Sequence, residues 1–280
     1  MMGKLGKVRG YAQQRKLMNS DMARMDGQQH DLIPLLVGKG ADQRRVDEIA
    51  DKLSIAPVIK PEDFDQSQLH LLYDEKGLSL RQGSIAMQGD FTQMLPRLKR
   101  GKVESEMLYK ASKIKGLEGI KTAMDATAGL GEDSMLLAAA GYTVELFEKN
   151  PVIAALLEDA LIRALKIPEL AAMASRMHLH TEDSIEYMVS QEKGPDLIYL
   201  DPMFPARQKS GLIKKKFQLL QQLESPEMNG EEMLAAAMGL KPTRIVVKRP
   251  LKGELLGGQK PSFSLQGKAI RYDCFVNIRG

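Results

Sequence analysis

The sequence predicts an α/β protein in which a doubly wound, mostly parallel sheet follows a small N-terminal α/β unit. Three observations predict it. From Lys121 onward, short apolar runs of strand length alternate with stretches of helical periodicity. Leu197-Ile198-Tyr199-Leu200 is apolar throughout, as a strand covered on both faces should be. Four of the predicted strands also end in Gly, Asp or Glu followed by a helix start, where ligands bind in such sheets. At about 150 residues per domain, 280 residues make one large or two modest domains.

The elements follow in order. Residues 1–30 are polar, rich in Gln, Met and Lys, and without sustained period, so they are expected to form a flexible basic arm. Residues 31–100 are expected to form the small α/β domain. Ile33 to Val37 is a short buried-strand signal ending at Gly38, and Val46, Ile49, Ala50 and Leu53 recur at helical spacing. Leu69–Tyr73 and Leu78–Arg81 flank the polar turn Asp74-Glu75-Lys76-Gly77 and predict a hairpin. Residues 101–280 carry the main sheet, after a helix near Glu104–Lys113. Its strands are predicted at Thr122–Asp125, Thr143–Phe147, Met177–His180, Leu197–Leu200, Arg244–Val247 and Arg271–Ile278. Helices are predicted at Asp133–Ala140, from Pro151 to about Leu165, from Asp183, around 211–223 and around 230–239.

Composition narrows the setting. With 43% apolar and 27% charged residues the chain is globular rather than disordered. A single cysteine, Cys274, excludes an intrachain disulfide and a Cys-cluster metal site and fits a reducing compartment. No apolar run approaches the roughly 20 residues of a membrane helix, and the polar start is unlike a signal core, so a cytoplasmic protein with no membrane and no metal is expected. His178 and His180, on a predicted strand, are expected to be structural. Charge is nearly balanced, 40 basic against 36 acidic side chains, yet the basic ones cluster. Arg97, Lys99 and Arg100 form one group with Lys102; Arg207, Lys209, Lys214, Lys215 and Lys216 form a second; Lys248 and Arg249 form a third with Lys252. Such clusters suit a polyanion such as nucleic acid, whereas singly each also fits a solvated face.

Four strand-end loops hold the candidate chemistry. In Asp125-Ala126-Thr127-Ala128-Gly129-Leu130-Gly131, glycines permit a tight turn and close backbone approach to a ligand, though a plain strand–helix turn explains them equally. Glu148, seventeen residues after Gly131, is placed to accept both hydroxyls of a ribose. Asp183 and Ser184 open the next helix, where Asp183 also suits an N-cap. In Asp201-Pro202-Met203-Phe204-Pro205, an acid directly follows a buried strand. Asp201 and the Pro202 carbonyl could receive both hydrogens of an exocyclic amine, and Phe204 offers a face for base stacking worth about 1–3 kcal/mol.

Together these loops resemble class I S-adenosylmethionine-dependent methyltransferases, which implies a Rossmann-like methyltransferase sheet. Asp201-Pro202-Met203-Phe204 is similar to the (Asp/Asn)-Pro-Pro-(Phe/Tyr/Trp) motif of enzymes that methylate exocyclic amines, with Met in place of the second Pro. The runs Asp125–Gly131, Glu148–Val152, Tyr199–Pro205 and Val246–Pro250 resemble the RsmJ family of 16S ribosomal RNA guanine-N2 methyltransferases, over about residues 33–280. The resemblance implies S-adenosylmethionine as cofactor, ribosomal RNA or the small ribosomal subunit as partner, and donor contacts on Asp125, Gly129, Gly131, Glu132, Asp133, Glu148, Lys149, Asp183, Ser184 and Asp201. Asp201, Pro202 and Phe204 are the candidate catalytic residues, and the basic clusters the candidate RNA contacts. Many family members carry Lys-Phe-Gly-Gly-Gly-Arg-Gly-Glu where this chain has Arg100-Gly101-Lys102-Val103-Glu104-Ser105-Glu106, and residues 1–30 are additional to the pattern. Methylation of an adenine amine or a protein amide, and a non-catalytic RNA-binding role, remain alternatives. An NAD-dependent oxidoreductase is disfavoured by Ser134, which stands where a dinucleotide fingerprint has its third glycine.

Overall fold

The computed structural model describes residues 33–58, 64–99, 101–202, 219, 223 and 230–276. The expected arm and the helix expected around 211–223 lie outside them, apart from Leu219 and Leu223. Two compact units divide between Met87 and Gln88.

The first unit holds strands β1 (Leu35–Val37), β2 (Pro57–Val58), β3 (His70–Asp74), β4 (Gly77–Gln82) and β5 (Ile85–Met87), in the order β2-β1-β3-β4-β5. β1 runs parallel to β2 and β3, while β3, β4 and β5 are antiparallel. Helix α1 (Gln43–Leu53) crosses from β1 to β2. It starts where Asp42 accepts the Arg44 amide at 3.1 Å, and it buries the expected Val46, Ile49, Ala50 and Leu53. In the expected hairpin, Asp74 pairs with Gly77, whose φ of 100° suits only glycine.

The second unit begins earlier than the sequence suggests. Phe91 and Met94, on a short 3-10 turn, are buried in the same core as the main sheet, so the segment before residue 100 belongs with it. Helices α2 (Leu95–Leu98) and α3 (Met107–Ser112) lead into β6 (Lys121–Asp125). There follow α4 (Glu132–Ala139), β7 (Tyr142–Phe147), α5 (Pro151–Ala164), α6 (Pro168–Ala174), β8 (Met177–His180), α7 (Ser184–Ser190), β9 (Leu197–Leu200), α8 (Gly230–Gly239), β10 (Arg244–Pro250), β11 (Phe263–Gln266) and β12 (Ile270–Val276). Helix α6 and strand β11 go beyond the sequence reading.

The seven-stranded sheet has the order β11-β12-β10-β9-β6-β7-β8. β8, β7, β6, β9 and β10 are mutually parallel, and β12 is antiparallel to both its neighbours. Helices α3 to α6 share one apolar layer with Ala123, Val144, Leu197, Tyr199, Val246 and Cys274. Helices α7 and α8 share the other with Met124, Phe147, Ile198, Leu200, Ile245 and Val247. Each fully buried Leu or Ile in these layers contributes about 1.5–3 kcal/mol. The order reverses between β6 and β9, which makes their carboxyl ends the switch point where doubly wound sheets bind ligands. The expected loops after β6, β7 and β8, and the first two residues of the one after β9, follow the carboxyl ends of those strands.

Candidate active site

Asp125 ends β6 buried beneath the glycine loop, 1% exposed. Its Oδ1 accepts the Thr127 amide at 3.0 Å and the Thr127 hydroxyl, and its Oδ2 accepts the Ser134 hydroxyl of α4. The carboxylate thus shapes the loop from below rather than lining its outer side. Ser134 uses its hydroxyl in that role, which explains why the dinucleotide glycine is missing. Gly129 and Gly131 take φ of 53° and 78°, conformations that favour glycine. At Gly131 a Cβ would stand 2.6 Å from Leu157 Cδ1, whereas at Gly129 it would meet open space, leaving the outer side of the loop accessible.

Burial pushes the Asp125 carboxyl up to about 7, against the Ser134 and Thr127 hydrogen bonds that pull it down. Between about pH 4 and 7 the native state therefore holds a proton that the unfolded chain has released, and stability falls as pH rises through that window, by at most about 1.4 kcal/mol per pH unit. Asp125→Asn does not ionise and is expected to lose this slope. Urea midpoints measured across the window test it; an unchanged slope in the variant would place the titration on another group.

Glu148 follows β7 and braces the same loop. Its Oε2 accepts the Gly129 amide at 3.0 Å and its Oε1 the Asn150 amide at 2.8 Å. Asn150 in turn caps α5, accepting from the Val152 and Ile153 amides, with Pro151 in the first turn as expected. Both Glu148 oxygens are thereby oriented. On the next loop Asp183 caps α7 through the Ile185 amide at 2.8 Å, and its Oδ2 lies 3.8 Å from the exposed Lys149 Nζ. Ser184 is buried beside it. His180 stacks on Phe147 at 4.7 Å and bonds Glu145 through Nε2, so it is committed to the sheet.

At the carboxyl end of β9, the Asp201 amide donates to Thr127 Oγ1 at 2.7 Å. Its Oδ2 lies 2.8 Å from Lys248 Nζ, and that ammonium also bonds Asp133 Oδ2 at 2.7 Å. Tyr199 donates its hydroxyl to the same Asp133 oxygen at 2.6 Å. Burial alone would lower the Lys248 pKa, but the two carboxylates outweigh it and hold the ammonium well above the ordinary lysine value. Pro202 is buried, and Phe204 lies outside the described residues.

Two of the expected nucleic-acid contacts have partners within the protein. Lys248 points inward because it continues the face of Val246, toward α4, instead of leaving the strand end for solvent. Arg249 continues the opposite face, 6% exposed, and donates through Nε and Nη2 to the Glu254 carbonyl. Arg97 and Lys99 are exposed, with Arg97 forming a two-pronged pair with Glu106 at 2.8 and 3.0 Å. Arg100, Arg207, Lys209, Lys214, Lys215 and Lys216 lie outside the described residues. Sequence reasoning missed Thr127, Tyr199 and the inward role of Lys248. Strand register is the signal that finds the last, since Val247 pairs with Leu200 and so brings Lys248 level with Asp201.

Among the described residues, no group of three His, Cys, Asp or Glu side chains could hold a metal ion, and no helix is long and apolar enough to cross a membrane. The carboxylates of Glu132, Asp133, Glu148, Asp183 and Asp201 outnumber the local cations Lys149 and Lys248. Glu132 and Asp133 occupy the first turn of α4, where they repel the diphosphate that a dinucleotide site would seat on the helix amides. The same acidic edge suits a ligand with vicinal hydroxyls and a positive charge, which is the chemistry of S-adenosylmethionine.

Comparison with known proteins agrees. Residues 55–277 match the family model described as a putative SAM-dependent methyltransferase. Relatives include ribosomal RNA small subunit methyltransferase J of Pseudomonas fluorescens, 40% identical over 75% of this chain and 84% of that protein. The protein of the same name from Thioalkalivibrio sulfidiphilus is 41% identical over 74% of this chain and 84% of its own length. The crystal structure of a SAM-dependent methyltransferase from Neisseria gonorrhoeae superposes with a TM-score of 0.69 at 32% identity, covering 88% of this chain and 97% of that one. This chain belongs to the SAM-dependent methyltransferase family that includes the ribosomal RNA small subunit methyltransferases J.

Proposed function

We propose that this protein methylates the exocyclic N2 amine of a guanine in 16S ribosomal RNA, alone or in the small ribosomal subunit, in the cytoplasm. The observation that carries the reading is the anchoring of Asp201. Its amide is fixed to the glycine loop through Thr127 and its carboxylate to Lys248, at the switch point beside Glu148. A planar amine with two hydrogens needs two acceptors, which Asp201 and the Pro202 carbonyl provide. Relatives named for small-subunit ribosomal RNA support the substrate class.

Glu148 would accept the ribose hydroxyls, with Lys149, Asp183 and Ser184 at the far rim and the Glu132–Asp133 turn near the amino-acid end. When bound, S-adenosylmethionine supplies a methyl group on a positively charged sulfur. The guanine N2 lone pair is delocalised into the ring, so positioning at near-attack distance is the enzyme's main contribution. Asp201 and the Pro202 carbonyl orient the amine and favour the positive charge that develops on it. The nitrogen lone pair forms the new N–C bond, the S–C pair stays on sulfur, and the amine proton passes to Asp201 or to water. Phe204 offers the stacking face for the base, which must leave any helical stack to reach this edge. Exposed Arg97 and Lys99 remain candidates for phosphate contact.

Incubation with methyl-labelled donor, followed by separation of RNA, DNA and protein, tests the substrate class. Label confined to the 16S RNA is expected. Label in protein would redirect the reading to a side-chain amide, and RNA binding without any transfer would leave a non-catalytic role.

A further inference from the structure

We infer that Lys248 is a positioning residue for methyl transfer: held between Asp133 and Asp201, its ammonium locks the Asp201 carboxylate toward the acceptor amine. The inference rests on the proposed function and deepens it by adding a residue to the reaction.

The argument begins with the pleat. Side chains alternate along a strand, so Asp125 of β6, Tyr199 of β9 and Lys248 of β10 project to the face covered by α4. Tyr199 Oη and Lys248 Nζ there converge on Asp133, and Lys248 also meets Asp201, just past the end of β9. One ammonium 2.7 Å from one carboxylate and 2.8 Å from another places the two acids close together. Without it the two like charges repel, and the Asp201 carboxylate loses the tie that aims it at an amine needing acceptors on both hydrogens. Among the described residues, Asp125, Tyr199 and Tyr272 also face these charges, Arg97 acts on Asp133 from α2, and Lys248 bonds both acids. Because Asp133 sits in the first turn of the helix that follows the glycine loop, the ammonium also ties the acceptor loop to the donor loop.

Lys248→Met and Lys248→Arg, in the full chain, test this, with kcat on 16S RNA at saturating donor and RNA measured beside donor affinity and circular dichroism. Lys248→Met is expected to keep the fold and the donor affinity while kcat falls by about tenfold or more, and Lys248→Arg, which retains the charge, to recover most of that rate. A Lys248→Met enzyme with wild-type kcat overturns the inference, as does one whose loss lies entirely in donor affinity. If Lys248→Met fails to fold, Lys248→Arg decides alone: a folded Lys248→Arg enzyme as slow as Asp201→Ala overturns the inference. A wild-type enzyme that binds donor but methylates no RNA would instead overturn the proposed function.

Discussion

Asp201→Ala is expected to lower methyl transfer by on the order of 10²–10³-fold while leaving the fold intact, the cost typical of deleting one preorganised group at a charge that develops in the transition state. The fold survives because the tie from β9 to the glycine loop runs through the Asp201 amide and Thr127 Oγ1, which alanine retains. Lys248 keeps Asp133 as its partner. Rates at saturating donor and RNA measure the effect; wild-type turnover would remove Asp201 from the reaction.

Glu148→Ala acts at the other end of the site. It deletes the proposed acceptor of the ribose hydroxyls and leaves the Gly129 and Asn150 amides without their carboxylate. Hydrogen bonds to a charged group are worth about 1.5–3 kcal/mol each, so losing the two ribose bonds should weaken donor binding by roughly a hundredfold or more. Calorimetric titration with S-adenosylmethionine measures it. Equal affinity in the two proteins would move the ribose elsewhere.

Much of this was legible before any coordinates. Apolar runs such as Leu197–Leu200 and the helical spacing in α1 located strands and helix because burial imposes those periods directly. The glycine pair, Glu148 and Asp201 marked their loops because turn geometry and ligand chemistry restrict the residues allowed there. The boundary near residue 100 was misplaced because Phe91 and Met94 reveal their core only once the main sheet is folded beneath them. Lys248 and Arg249 looked like one basic patch, yet adjacent residues on a strand face opposite ways and enter different layers. Which layer each enters depends on the pairing of β10 with β9, a contact between segments more than forty residues apart. The bonds from Asp125 to Thr127 and Ser134 under the loop depend on the folded turn and are not legible in the sequence.

The most direct test of the central claim is nucleoside analysis of 16S RNA after reaction with methyl-labelled donor, for wild type and Asp201→Ala side by side. The account predicts that the label appears as N2-methylguanosine with the wild-type enzyme and disappears with the variant. Label recovered as N6-methyladenosine, or N2-methylguanosine formed equally by the Asp201→Ala protein, would contradict it.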